Sequence, residues 1–198
     1  MSSKAYKYQQ NNSKMSALEF FIQGLKDIRT VGTISRSSQF VSKTMIKHVD
    51  FNTAKCIVEL GAGDGPITKY ILRALKGETK VLAFEVNDKL CQLMRDRYDD
   101  PRLQVVEDSA EKIQEYVNGA GFEQADYIIS ALPFVSLPDD LGDRILQEAF
   151  KALGPGGKFI QLNYSLIPRK RYEAIFGKSK VNFVTLNIPP AWVIVCEK

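Results

Sequence analysis

The 198-residue sequence is poor in the residues that build metal and redox sites. It has one histidine, His48, and three cysteines, Cys56, Cys91 and Cys196. A lone imidazole without cysteines at ligand spacing offers no metal-binding set, so no metal is expected. An odd cysteine count without paired spacing also argues against a disulfide framework. Long apolar runs are missing as well. None approaches eighteen residues, the length that crosses a bilayer. Met1 to Asn12 is polar and lacks the apolar segment of a signal peptide. An excess of one charge is missing too. The 27 Lys and Arg against 23 Asp and Glu leave a net charge of +4. That balance is no nucleic-acid signature by itself, though it suits an anionic partner such as acidic lipid. These absences lead to the expectation of a cytoplasmic chain with reduced thiols. The hydrophobic fraction of 44% and charged fraction of 25% are ordinary. The length suits one domain with a sizeable core.

What is present begins at Ile57-Val58-Glu59-Leu60-Gly61-Ala62-Gly63-Asp64-Gly65-Pro66. The apolar run Cys56 to Val58 leads into Glu59 and then three alternating glycines. Ile67, Tyr70, Ile71, Ala74 and Leu75 then recur at helical spacing. Strand, glycine loop and helix open the nucleotide-binding α/β folds, although an ordinary strand-to-helix turn has the same local pattern. Pro66 suits the first helical position. A second run, Val81 to Phe84, ends in Glu85, about twenty positions after the glycines. An acid at that place can accept hydrogen bonds from two ribose hydroxyls. Runs at Leu103 to Val106 and Tyr127 to Ser130 end in Glu107-Asp108 and in Ala131-Leu132-Pro133-Phe134. Polar residues thus gather at strand carboxyl ends, where such sheets bind ligands.

Between the strands lie helical patterns. Asn87 can cap one that carries Leu90, Leu93, Met94 and Tyr98; Ser109 starts a short one. Another runs from about Pro138 to Leu153, with Gly142 as a weak point. Gly154-Pro155-Gly156-Gly157 should break the chain before a fifth strand, Lys158 to Tyr164. A short helix follows between Arg169 and Phe176, then two strands, Val181 to Leu186 and Trp192 to Cys196, close enough to form a hairpin. The fold class expected is α/β: a Rossmann-like, seven-stranded, mostly parallel sheet with a C-terminal antiparallel hairpin and N-terminal helices. Residues 55–198 would be the ligand-binding domain, and residues 1–54 a helical lid or membrane-contacting segment.

The glycine motif, of form E-x-G-x-G-x-G, resembles that of the class I S-adenosylmethionine-dependent methyltransferases. A dinucleotide-binding dehydrogenase fits less well, because the third glycine comes one residue early. The resemblance implies S-adenosylmethionine as cofactor. Glu59, Gly61, Gly63 and Gly65 would form its loop, and Glu85 with Val86 its ribose site. Asp108 and Ser109 would lie at its adenine, and Ser130 at the end of the fourth strand. A closer resemblance is to bacterial phospholipid N-methyltransferases acting on phosphatidylethanolamine. It rests on Phe20-Phe21, Val31-Gly32-Thr33-Ile34, Ser37-Ser38, Ser130-Ala131-Leu132-Pro133, Gln161-Leu162-Asn163-Tyr164 and Asn187-Ile188-Pro189-Pro190-Ala191. It implies a peripheral enzyme at the inner face of the membrane that methylates an amino-phospholipid headgroup. Pro133 and Tyr164 are its expected catalytic residues, with Phe134, Tyr164, Arg36 and Ser38 toward the substrate. Arg36 beside a helix N-terminus can hold a phosphate, while the serines can equally cap that helix. A monomer is expected, with no nucleic-acid partner favoured.

Two other functions stay open. RNA adenine-N6 methyltransferases carry Asn-Leu-Pro-Tyr after the fourth strand; here Ala131 replaces the Asn. A non-catalytic cofactor-binding module would explain the lack of an obvious general base. The N-terminal segment also leaves alternatives. Residues 1–14 are polar and expected to be disordered. Ser16-Ala17-Leu18-Glu19 is a capping box for a helix with Leu18, Phe21, Ile22, Leu25 and Ile28 on one face. That helix can cover the sheet end, enter a bilayer surface, or do both.

Overall fold

The computed structural model describes residues 39–198. The polar stretch 1–14, the expected helix from Ser16, and the expected contacts of Arg36 and Ser38 lie outside the described residues. Five strands run parallel: β1 (Cys56–Leu60), β2 (Lys80–Phe84), β3 (Leu103–Val106), β4 (Ala125–Ser130) and β5 (Leu153–Asn163). β6 (Ser179–Val184) and β7 (Ala191–Glu197) form the hairpin, and β7 is antiparallel to both β5 and β6. The sheet order is β3-β2-β1-β4-β5-β7-β6. The order therefore reverses between β1 and β4, where such sheets open a crevice at their carboxyl edge.

Six α-helices accompany the strands among the described residues: α1 (Gln39–Ile46), α2 (Thr68–Ala74), α3 (Asp88–Arg97), α4 (Ile113–Gly119), α5 (Asp139–Ala152) and α6 (Arg169–Phe176). Strands covered on both faces read as continuous apolar runs, and β1 is buried at every position. Val41 and Met45 of α1 pack with Ile67, Ile71, Ile129 and Ile160 in one core cluster. Phe159 precedes Ile160 in β5, so its side chain takes the opposite face. There it stacks on Phe176 of α6 at 4.7 Å and meets Tyr172 at 5.9 Å. Among the described residues, no helix is long and apolar enough to cross a membrane.

Local sequence explains most of the boundaries. Asn87 caps α3 as expected, accepting from the N–H groups of Lys89 and Leu90 at 3.1 and 3.3 Å. Leu93, on the expected apolar face of α3, is instead 47% exposed; Cys91 and Met94 take the buried positions. Gly142 does more than loosen α5. A Cβ there would stand 2.8 Å from the guanidinium of Arg171, which reaches across the helix to Asp143 at 2.7 Å. The Gly154 to Gly157 turn does not precede β5 but lies inside it. β5 starts at Leu153, and its register against β4 slips between Ala125 and Tyr127. Gly156 has φ 74° and donates to the Lys198 carbonyl at 2.7 Å. A Cβ on Gly157 would meet the Gly154 carbonyl at 2.8 Å, so the glycines make a tight bulge rather than a break.

The three cysteines are free and buried in β1, α3 and β7. Burial pushes their thiols up, to about 12 for Cys56, about 11 for Cys91 and about 12 for Cys196.

Candidate active site

The crevice starts at the glycine loop. Gly61 and Ala62 both donate to the Phe84 carbonyl at 3.0 Å, which folds the end of β1 over the end of β2. Gly61 has φ 71°, and a Cβ there would reach the Leu132 side chain at 3.0 Å. Gly65 has φ 85°, and its Cβ would stand 2.5 Å from the Tyr98 ring, whose hydroxyl donates to the Gly65 carbonyl at 2.8 Å. At both positions the backbone conformation calls for glycine, and at Gly65 the Tyr98 ring also leaves no room for a Cβ.

Glu85 ties this loop to the next. One carboxylate oxygen accepts from the Gly63 N–H at 2.9 Å and the other from the Asn87 N–H at 3.0 Å. A carboxylate has about four acceptor positions, so roughly two remain for a ligand's hydroxyls. Val86, half-buried, links Glu85 to Asn87. Asp108 is held by the Ser109 N–H at 2.7 Å, Lys112 at 2.9 Å and the Tyr116 hydroxyl at 3.0 Å. Burial pushes its carboxyl up, but Lys112, the Ser109 N–H and Tyr116 together hold it below the ordinary value. The Ser109 hydroxyl caps the turn at Ala110–Lys112, accepting from the Glu111 N–H at 3.2 Å. Ser130 is fully buried, and its hydroxyl accepts from the Leu132 N–H at 3.3 Å.

Glu59 is 1% exposed beneath the loop. One oxygen accepts from the Thr68 hydroxyl at 2.7 Å; the other has no partner among the described residues. Burial pushes this carboxyl up to about 8, against hydrogen bonds from Thr68, with Glu85 adding to the rise. A buried oxygen left unmet costs free energy unless a ligand or water meets it.

The carboxyl ends of β4 and β5 form the other half. The Leu132 carbonyl accepts from the Phe134 N–H at 3.0 Å and from Gln161 Nε2 at 2.9 Å. The half-buried Pro133 has a carbonyl that accepts from Ser136 at 2.8 Å and Leu137 at 3.2 Å. Both backbone oxygens thus have their two lone pairs engaged, and neither is free to orient a substrate amine. The expectation that the Phe134 ring faces the substrate is corrected. The ring is 1% exposed and packs against Phe159 and Tyr172 at 6.4 and 5.8 Å, because the turn at Pro133 directs it into the core.

Unmet amide atoms appear one strand over. Gln161 and Asn163 alternate onto one face of β5. Gln161 is fully buried and its Oε1 has no partner among the described residues. Asn163 accepts from the Tyr172 hydroxyl at 3.1 Å, which leaves its Nδ2 unmet. Asn187, in the loop from β6 to β7, donates to the Pro189 carbonyl at 2.6 Å and leaves its Oδ1 unmet. Tyr164 stands at this edge, 45% exposed; burial of its hydroxyl pushes the phenol up and Asn187 pulls it back. The structure therefore brings Glu59, the glycines, Glu85, Val86, Asp108, Ser109, Ser130, Pro133 and Tyr164 to one edge of the sheet.

Residues 57–157 match the family model described as a methyltransferase domain. The chain belongs to that family. It is a class I S-adenosylmethionine-dependent methyltransferase. Over 169 residues it is 29% identical to an ornithine lipid N-methyltransferase of Singulisphaera acidiphila, covering 84% of this chain and 88% of that protein. A ribosomal RNA small subunit methyltransferase A of Thermotoga petrophila is 22% identical over 65% of this chain, but only 46% of that protein is covered. Among solved structures, an O-methyltransferase from Bacillus cereus in complex with SAH superposes with a TM-score of 0.66 at 17% identity, covering 98% of this chain and 96% of that one. That likeness shows the fold.

The methyltransferase uses S-adenosylmethionine, which supplies a methyl group carried on a positively charged sulfur. The first half of the crevice fits such a group: an unmet buried oxygen on Glu59, spare acceptor capacity on Glu85, and glycine turns with no side chain to obstruct. Of the second half, the sequence signalled Gln161, Asn163 and Asn187 only as parts of recurring stretches. Their significance lies in amide atoms left without partners, which depends on which backbone groups the fold brings near.

Proposed function

We propose that the methyltransferase methylates the headgroup amine of an amino lipid, phosphatidylethanolamine or a similar one. The observation that carries this reading is the pair of buried amide oxygens without donors, Gln161 Oε1 and Asn187 Oδ1, at the acceptor half of the crevice. An amine brings N–H donors, and an amide oxygen accepts them without adding charge. The ornithine lipid N-methyltransferase, similar along most of both chains, supports an amine on a lipid. In this reading Gln161 and Asn187 align the amine, and Pro133 shapes the wall. Tyr164, its phenol raised and so protonated at neutral pH, offers a hydroxyl to the amine or the lipid phosphate. Holding two reactants in line is worth roughly 7–11 kcal/mol of barrier, so a site without a strong base still accelerates transfer to a free amine. Glu59, Gly61, Gly63, Gly65, Glu85, Val86, Asp108, Ser109 and Ser130 would hold the cofactor. Residues 1–54 would serve the domain at 55–198 as a lid or membrane-contacting segment, and the enzyme would work as a monomer at the inner membrane face.

Incubation with methyl-labelled S-adenosylmethionine and vesicles of phosphatidylethanolamine, or of another amino lipid, tests this. Label should enter the lipid fraction. Label in RNA and none in any amino lipid would overturn the reading. The burial of Phe134 supports the amino-lipid reading over an adenine, which would stack on an open aromatic face.

A further inference from the structure

Apolar side chains left in water gather at one edge of the molecule. Among the described residues nine large apolar side chains are exposed, and six of them stand on three loops. Val135 follows β4; Tyr164, Leu166 and Ile167 follow β5; Leu186 and Ile188 lie between β6 and β7. β6 runs parallel to β5, because each is antiparallel to β7, so all three loops share the carboxyl edge of the sheet. Ile167 is 81% exposed and Ile188 86%. Single exposed apolar residues need no explanation, but a cluster around a crevice marks a contact surface.

Charge lies beside it. A groove of about 320 Å³ between α1 and β6 has Phe40, Phe183 and Leu186 as apolar walls. Lys43 and Lys47, one helical turn apart, line it as well, and no acidic side chain among the described residues does. The neighbouring arginines are already committed: Arg169 pairs with Glu173 at 2.9 Å and Arg171 with Asp143 at 2.7 Å.

We infer that this edge docks on a bilayer containing anionic lipid, with Ile167 and Ile188 entering the apolar layer and Lys43 and Lys47 meeting lipid phosphates. The inference rests on the amino-lipid reading. It supplies what that reading needs, an acceptor crevice that opens onto the membrane plane, where a headgroup enters without its acyl chains leaving the bilayer.

The full-length chain, floated with phosphatidylglycerol–phosphatidylethanolamine vesicles, tests it without turnover. Ile167→Ser with Ile188→Ser should weaken vesicle binding on the order of tenfold. Lys43→Gln with Lys47→Gln should weaken it by a comparable factor and flatten its dependence on phosphatidylglycerol and salt. Leu93→Ser, far from the edge, should change nothing. All variants should keep wild-type melting temperature and calorimetric S-adenosylmethionine affinity. Flotation of both double variants at wild-type levels would overturn the inference, as would a wild type that does not float. Methylation of a dispersed short-chain amino lipid separates the two readings. A wild type that floats through this edge yet labels no amine lipid would leave docking standing and sink the proposed substrate. One that labels dispersed lipid but never floats would do the reverse.

Discussion

The two halves of the crevice are built on opposite rules. Beyond β1, β2 and β3, polar groups are tied down by the chain itself. Glu85 takes two backbone N–H groups, Asp108 takes three donors, and Asn87 caps α3. Beyond β4, β5 and β6, amides are left unmet and apolar side chains stand in water. A group shared by a whole enzyme class can be met by a rigid, pre-satisfied cradle, because its shape never varies. In the proposed reading the methyl acceptor is met by atoms held in reserve, at a cost in folded stability that its binding would recover. Glu59 is the exception in the first half, a buried carboxyl oxygen kept unmet beneath the glycine loop.

Four changes probe the contrast. The largest effect belongs to Glu85→Ala, which removes the proposed ribose acceptor and releases the Gly63 and Asn87 N–H groups together. S-adenosylmethionine binding should weaken by about 1.5–3 kcal/mol, the worth of hydrogen bonds to a charged group. Unchanged affinity by calorimetry would mean that the cradle does not rest on Glu85. In the other half, Asn187→Ala should lower kcat/KM for an amino lipid by about 1–2 kcal/mol and leave cofactor affinity alone. Loss of cofactor binding in that variant would dissolve the division between halves. Tyr164→Phe keeps the ring and deletes the hydroxyl, so a smaller loss of about 0.5–1.5 kcal/mol in kcat/KM is expected, again with cofactor affinity unchanged.

The smallest effect concerns the exception. The Glu59 carboxyl rises from 4.5 to about 8 on folding. A raised acid binds its proton more tightly in the folded state, so its stabilising share is whole below 4.5 and falls as pH climbs toward 8. Glu59→Gln keeps an acceptor for Thr68 and cannot ionise. Its melting temperature should gain on the wild type between pH 5 and pH 8, by a few degrees, roughly the yield of 1 kcal/mol. Parallel curves for the two proteins across that range would show that Glu59 carries no such proton.

The cradle was readable in the sequence because its parts are local. Glycine spacing and the capping Asn87 act within a few residues of where they stand, and the acids are marked by their place at strand ends, although Glu85 also reaches back to the Gly63 N–H. The fold class, the mostly parallel pairing implied by alternating strands and helices, and the terminal hairpin followed from short apolar runs and helical spacing; the order of the strands did not. The reserve half was not readable in the same way. Gln161 is held through its Nε2 by the Leu132 carbonyl, 29 residues away, and its Oε1 is left unmet by packing that no local pattern records. Phe134 shows the limit most directly: the sequence put an aromatic after Pro133, and only packing against Phe159 and Tyr172 says which way it turns. The glycines at 154–157 signal a sharp bend, but a bulge and a break need the same residue types.

The three sulfurs have a practical consequence. Their thiols are sealed in β1, α3 and β7 and hold their protons far above neutral pH, so the native molecule presents almost no thiolate to an alkylating reagent. Each becomes reactive only when its own element opens. The wild-type chain therefore carries three built-in clocks, and mass spectrometry of alkylated peptides would time the opening of the central strand, a cofactor-side helix and the acceptor-side hairpin separately. Added S-adenosylmethionine should slow the clocks at Cys56 and Cys91 more than the one at Cys196.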